Sequence, residues 1–418
     1  MNNLLWSNFS LIVFFLLITK LGIQFYLNSR QKNYVFINRA EVPKAFTTQI
    51  SIHEHQKAAD YTIAKVAFSN INLGIEFLFT LIWLYAGGFF YLEKFSLQLS
   101  HSPIIQGLIF FGTMGIISTI LSLPLSYFQT FVLEEKFGFN KTTLKTFFLD
   151  LVKQLALSFI IGGGFLALIL LIMNSLGEHW WVWAWLAMSG FQIIMMWAYP
   201  TFIAPLFNKF LPLEAGETKN AIESLLVRAE FKSNGLFVMD ASKRSSHGNA
   251  YFTGFGKNKR IVFFDTLLKN LLPPEIEAVL AHELGHFKKK HIHKMITVSF
   301  LITFISFALL GALSKNSFFY SSFGLTATSF GALALFTIIF PAVTFYLTPI
   351  MSTFSRKHEY EADTYAAQMS AAKHLQEALV KLYKENASTL TPDPWYSRFY
   401  HSHPAAWERI QFLEKLKK

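Results

Sequence analysis

Three residues in one short stretch, His282-Glu283-Leu284-Gly285-His286, have the types and the spacing of a zinc-dependent hydrolase. Two histidines four residues apart on a helix project from one face on successive turns, so both imidazoles can reach a single ion. Glu283 stands beside them, placed to take a proton from a zinc-acidified water as that water attacks a peptide carbonyl. Chance alone puts H-E-x-x-H in about one chain in a hundred of this length, so the surroundings have to support it. They do. Pro273-Pro274-Glu275 opens a helix that runs through Ala278-Val279-Leu280 into His282. Gly285 allows another backbone to come close. The chain has no cysteine, which leaves His, Asp and Glu to hold any metal.

A catalytic zinc site takes three protein ligands and keeps a fourth position open. The candidate for the third ligand lies downstream, in Glu359-Tyr360-Glu361-Ala362-Asp363. Glu359 and Asp363 are four apart and share a helical face, whereas Glu361 points away from it. One carboxylate can bind the metal while the other orients a ligating histidine from behind. A solvated acidic face at a membrane surface is the plainer alternative, and the histidine motif favours the ligand reading over it. His247 could be a further orienting group. His291 and His293, beside Lys288-Lys289-Lys290, read as interfacial residues rather than ligands. Asn249-Ala250-Tyr251 reads as an edge strand, which either pairs with an extended substrate or closes an ordinary hairpin. His403 alone reads as a tail histidine before a proline.

The elements that position these residues belong to a membrane protein. Of 418 residues, 52% are hydrophobic, 15% are charged and 46 are Phe, well outside average soluble usage. Seven apolar runs are long enough to cross a bilayer, at about 7–27, 67–91, 104–131, 152–175, 180–206, 295–314 and 327–352. The first reads as a retained span that can serve as an anchor. Glu76, Asn70, Asn72, Gln129 and Gln192 fall inside spans, where polar groups face a bundle interior or a water-filled cavity. The net charge of +11 sits in short loops between apolar runs, as the positive-inside rule requires, which argues against nucleic acid as a partner. The alternation puts the N-terminus outside and the C-terminus in the cytoplasm. The organisation expected is a membrane part over 1–206 (spans 1–5), a soluble metalloprotease segment over 207–294, spans 6–7 over 295–352, and a soluble segment over 353–418 that completes the zinc site. Within 207–294, Leu236-Phe237-Val238-Met239 and Ile261-Val262-Phe263-Phe264 read as strands.

The chain resembles the type I CAAX prenyl endopeptidases, seven-span zinc metalloproteases. The likeness rests on the zinc motif, on Thr130-Phe131-Val132-Leu133-Glu134-Glu135-Lys136-Phe137-Gly138-Phe139-Asn140, on Tyr199-Pro200 with Ile203-Ala204-Pro205-Leu206-Phe207-Asn208-Lys209-Phe210, and on Asn249-Ala250-Tyr251-Phe252 with Lys259-Arg260-Ile261-Val262. The resemblance implies a mainly α polytopic fold, with seven helices around a large water-filled chamber and a zincin-like α+β domain on the cytoplasmic side. It implies one Zn2+ per chain, held by His282, His286 and Glu359. It makes Asp363 the group behind a ligand, and brings His403 and Arg409 to the scissile carbonyl. The substrate it implies is a peptide or protein C-terminal tail carrying a prenyl group. The short outer loops suit a bacterial relative in an inner membrane; a eukaryotic chain would sit in the endoplasmic reticulum membrane. Two other readings stand beside this one: a quality-control protease acting on unprenylated membrane proteins, and, from a different class, a transporter or scaffold with a structural zinc.

Overall fold

In a computed structural model, the structure describes residues 7–253 and 259–416. Seven helical segments among them are long and apolar enough to cross a membrane: Asn8–Ala40, Ile52–Leu84, Pro103–Glu134, Leu144–Ser175, Gly177–Phe207, His291–Leu313 and Ser329–Met369. The first six residues of the chain lie outside the described part.

Two spans differ from their expected limits for local reasons. The second begins 15 residues before position 67, at a capping box in which the Ser51 backbone N–H donates to Glu54 (2.8 Å). It stops at Leu84 because Gly87 takes a left-handed φ of 82° and starts a separate helix, Gly88–Leu99. Apolar composition alone could not distinguish that second helix from a continuing span. The seventh passes through one tight turn, Phe345–Leu347, and continues as Thr348–Met369, the helix that carries the acidic cluster. That helix is therefore an extension of the span and not a separate tail element.

The spans meet at one end around Val13, Leu17, Leu84, Phe89, Phe110, Leu170, Trp180, Phe307 and Phe330. Elsewhere they are splayed. Half of the apolar window of the seventh span is buried, against 22% or less in the other six. Helices so little covered by one another leave space between them, and polar side chains line it: Asn72, Glu76 and Gln129 border one cavity of about 280 Å³. Asn70 instead accepts a hydrogen bond from Asn28 on the first span (2.7 Å), and Gln192 accepts one from Ser299 on the sixth (3.3 Å).

The soluble body holds a four-stranded sheet, β1 (Phe210–Pro212), β2 (Leu236–Met239), β3 (Ala250–Thr253) and β4 (Arg260–Phe264), in the order β1-β2-β4-β3. β2 and β4 run parallel, and the two outer pairs are antiparallel. Alternation along β4 sends Ile261 and Phe263 to one face and Val262 to the other. The Ile261/Phe263 face packs on Ile276, Leu280 and Leu284 of the motif helix, Pro273–Lys288, in a core that also takes Ala366 of the acidic-cluster helix and Leu375, Ala378 and Leu413 of the tail. Segments far apart in sequence thus share one core.

Two backbones come close in that core at Gly285. A Cβ placed there would stand 2.8 Å from the Cα of Ala362 and 3.0 Å from its carbonyl oxygen. The substitution Gly285→Val is expected to force the two helices apart, with an overpacking cost of about 1–3 kcal/mol. Thermal unfolding and metal analysis of the purified variant check this. An unaltered midpoint together with full metal content would show that the contact does not matter.

Candidate metal centre

The motif helix and the acidic-cluster helix cross at Gly285 and Ala362, which sets the side chains on either side of the crossing against one another. His282 Nε2 and His286 Nε2 lie 3.2 Å apart. Glu359 closes the triangle, with Oε2 3.4 Å from His282 Nε2 and Oε1 3.3 Å from His286 Nε2. These three residues form a group able to hold a metal. Zinc bonds of about 2.1 Å at tetrahedral angles place donor atoms about 3.4 Å apart, so the observed separations fit that ion. The chemistry of the donors fits as well: two imidazole nitrogens and a carboxylate converge. Glu359 Oε2 is buried and has no hydrogen-bond partner among the described residues, a costly arrangement unless a cation meets it.

Groups behind the ligands hold them in place. His282 Nδ1 is 2.8 Å from Asp363 Oδ1, which turns Nε2 toward the metal position. Asp363 is fully buried and is held in turn by Arg409, whose Nε donates to Oδ2 at 2.9 Å and whose Nη2 donates to Oδ1. Burial disfavours a charge on His282. The Asp363 and Glu359 carboxylates beside it outweigh that and hold its pKa up at about 9. Surroundings that stabilise a proton on this ring also stabilise another cation beside it. Burial pushes the Glu283 carboxyl above its usual value, against the pull of the neighbouring histidines, the direction that suits a general base.

The other candidates from the sequence fall in different places. His403 sits on a loop with Nε2 3.5 Å from Glu359 Oε1, facing the same space as the ligands. Arg356 fixes that loop: it lies three residues before Glu359 and donates to the carbonyls of Arg398 (3.1 Å) and His401 (2.9 Å). Arg409, expected at the scissile carbonyl, is buried and occupied by Asp363, with Nη1 3.8 Å from Glu359 Oε2. Ala250 and Tyr251 lie in β3 and Asn249 just precedes it; among the described residues the strand pairs only with β4 and forms the sheet edge. His247 does not touch the ligands. Its ring stacks on Phe139 (4.4 Å) and meets Asn386 Oδ1 (3.3 Å), so it joins a loop of the membrane part to the start of β3.

His291 and Glu361 depart from the sequence reading. His291 opens the sixth span and is buried, and its Nδ1 lies 3.0 Å from His286 Nδ1. Its Nε2 lies 2.9 Å from Glu361, and its ring stacks on His358 at 4.0 Å. The second ligand therefore has its own support, made of a histidine and the carboxylate that helical spacing turns away from Glu359. Spacing could not reveal it. The motif helix ends at Lys288, Lys290 takes a left-handed φ of 56°, and the chain reverses so that His291 faces back. Replacing His291 with Ala is expected to weaken metal binding about 10- to 100-fold, whereas His293→Ala leaves it unchanged. Competition with a chromogenic chelator measures both, and equal affinities in the two variants would remove His291 from the site.

Residues 31–209 match the family model described as CAAX prenyl protease N-terminal, five membrane helices, and residues 212–417 match peptidase family M48. The CAAX prenyl protease 1 of Saccharomyces cerevisiae is 39% identical over 428 residues, covering 95% of this chain and 93% of that one. The Homo sapiens homolog is 32% identical over 440 residues, covering 94% and 92%. The crystal structure of S. mikatae Ste24p superposes with a TM-score of 0.90 at 37% identity, covering 97% of this chain and 98% of that one.

Proposed function

Because the chain belongs to peptidase family M48, with the CAAX prenyl protease N-terminal domain ahead of its catalytic half, we propose that it uses zinc to cleave the C-terminal tails of prenylated proteins. It is a multi-pass membrane metalloendopeptidase that acts on peptides; zinc, the prenyl group and the residue roles below are the proposal. The observation that carries it is the triangle of His282, His286 and Glu359, with 3.2–3.4 Å between donor atoms and an orphaned carboxylate oxygen inside it.

Zinc, when bound, supplies a Lewis acid that acidifies water and polarises a peptide carbonyl. Glu283 takes the proton of the attacking water and passes it to the leaving amine. His403, 3.5 Å from Glu359, donates to the carbonyl oxygen as that atom gains charge. Arg409 works through Asp363, keeping His282 in one tautomer and one orientation. The free edge of β3, at Asn249, Ala250 and Tyr251, takes the substrate as an added strand, so backbone hydrogen bonds fix where the chain is cut. The working unit is then a membrane part (1–206 with 295–352) and a soluble part (207–294 with 353–418).

The basic loops, which carry Lys44, Lys57, Lys136 and Lys288 to Lys290, support a cytoplasmic site under the positive-inside rule. The two relatives described above are eukaryotic, which favours the endoplasmic reticulum membrane over a bacterial inner membrane.

A quality-control protease is the second reading, favoured by the edge strand, because backbone pairing reads any extended chain. Matched peptides with and without a farnesyl group separate the two: CAAX processing requires faster cleavage of the farnesylated peptide, and equal rates at several sites would replace it with quality control. In the same assay, Glu283→Gln is expected to keep its zinc and lose about 10²- to 10⁴-fold in turnover. Turnover equal to wild type would end the metallopeptidase assignment of Glu283.

A further inference from the structure

The free edge of β3 has a defined end. On β4, the Phe264 N–H donates to the Asn249 carbonyl at 2.9 Å. Backbone groups alternate from side to side along a strand, so Ala250 turns its own N–H and C=O to the free edge. There the Ala250 N–H meets the side chain of the adjacent Asn249 (2.8 Å), a local contact that an incoming strand can replace. Gly248, next in the alternation, also turns away from β4, and both of its backbone groups are taken. Asn386 Oδ1 accepts from the Gly248 N–H at 3.1 Å, and Asn386 Nδ2 donates to the Gly248 carbonyl at 3.4 Å. A side-chain amide that meets both groups of one residue does there what a neighbouring strand would do.

Asn386 is held where it can do this. It follows the helix Ala372–Glu385, whose Leu375 and Ala378 pack with Leu280 and Leu284 of the motif helix. That helix stops where Ala387 takes a left-handed φ of 43° and the Ser388 N–H returns to the Tyr383 carbonyl at 2.9 Å. An Ala in that conformation is strained, because its Cβ crowds the backbone, so the turn is held by its surroundings. His247 Nδ1 lies 3.3 Å from the same Asn386 Oδ1, and Thr266 Oγ1 donates to the His247 carbonyl at 2.9 Å. The edge belongs to the same packed unit, since Ala250 is buried in the core that holds Leu280. Ala387, next to Asn386, lines the cavity that His403 lines.

An added strand cannot pair with a rung that is already filled. Its register decides which peptide bond stands at the metal, and it can slip only by two residues without turning its side chains over. We infer that Asn386 closes the free edge of β3 at Gly248 and so sets the register of the substrate, and with it the bond that is cut. Asn386 is a positioning residue that acts through the strand edge. What it aligns is the backbone of an extended peptide, whatever that peptide carries at its end. The inference rests on the strand-addition reading above.

The test uses the purified full-length zinc-loaded protein and the matched peptides with and without a farnesyl group, with products identified by mass. Wild type is expected to cut each at one principal bond. Asn386→Ala opens the Gly248 rung, and the share of product cut two residues away is expected to rise about 10-fold, as two backbone hydrogen bonds gained in a competing register imply. Asn386→Ser opens the same rung with a polar side chain and gives the same readout if the Ala variant does not fold. Asn386→Asp keeps the acceptor for the Gly248 N–H and is expected to restore the single bond. A merely structural Asn386 would slow cleavage at an unchanged bond, and that result overturns the inference. So does a wild type that cuts at several bonds without preference, or a shift that Asn386→Asp leaves in place. Esters placed one at a time for the backbone amides flanking the scissile bond separate the two failures. No loss of rate with any ester in wild type removes strand addition itself, whereas a loss with an unshifted cut in Asn386→Ala removes Asn386 alone.

Discussion

The structure turns on a backbone contact. Gly285 and Ala362 meet so closely that a single added carbon at Gly285 would lie 2.8 Å from a Cα. Helices usually pack about 8–10 Å apart, at a distance set by the side chains between them. With no side chain on Gly285, the histidines on one helix and Glu359 on the other come within 3.4 Å of each other. The candidate metal site is a consequence of that crossing. The shared core of Leu280, Leu284, Ala366 and Leu375 holds the crossing shut.

Around the crossing, buried charge is arranged to keep the ligands still. Asp363 and Arg409 form a buried pair behind His282, and His291 with Glu361 stands behind His286. A buried ion pair is expensive to assemble and expensive to break. Its value here is orientation, since an imidazole whose Nδ1 is held can present only Nε2 to a metal. Both His282 and His286 are held in this way, by Asp363 and by His291. Arg356 does similar work for the loop carrying His403, by occupying the carbonyls at the end of the helix Pro394–Tyr400.

The membrane helices supply the space and not the chemistry. Their polar residues divide into two sets. Asn70 and Gln192 bond to neighbouring spans and tie them together. Asn72, Glu76, Gln129 and Lys65 face cavities. A seventh span that runs on through one tight turn into the helix bearing Glu359 couples the membrane part directly to the candidate metal centre. Any change in the tilt of that span would move Glu359.

Much of this was legible in the order of residues. A spacing of four on a helix is a local property, so His282, Glu283 and His286 declared their chemistry without a fold. So did seven apolar runs, two buried strands and the shared face of Glu359 and Asp363. Span limits were less legible: a capping box at Ser51 and a left-handed Gly87 moved the second span, because apolar content measures partition into lipid and not where a helix starts. What lay beyond sequence was set by contacts between distant segments. His291 and Glu361 looked peripheral by spacing, and Arg409 looked catalytic by likeness. A chain reversal at Lys290 and the crossing at Gly285 brought the first two behind His286, while the tail laid Arg409 against Asp363. Sequence alone determined that a zinc-type motif sits on a seven-span membrane protein, since periodicity and hydropathy act over a few turns. Only the tertiary structure decided which side chains hold these histidines, because Arg409 is 127 residues from His282 and Glu361 is 70 from His291, and His291, five residues from His286, meets it only after the chain reverses.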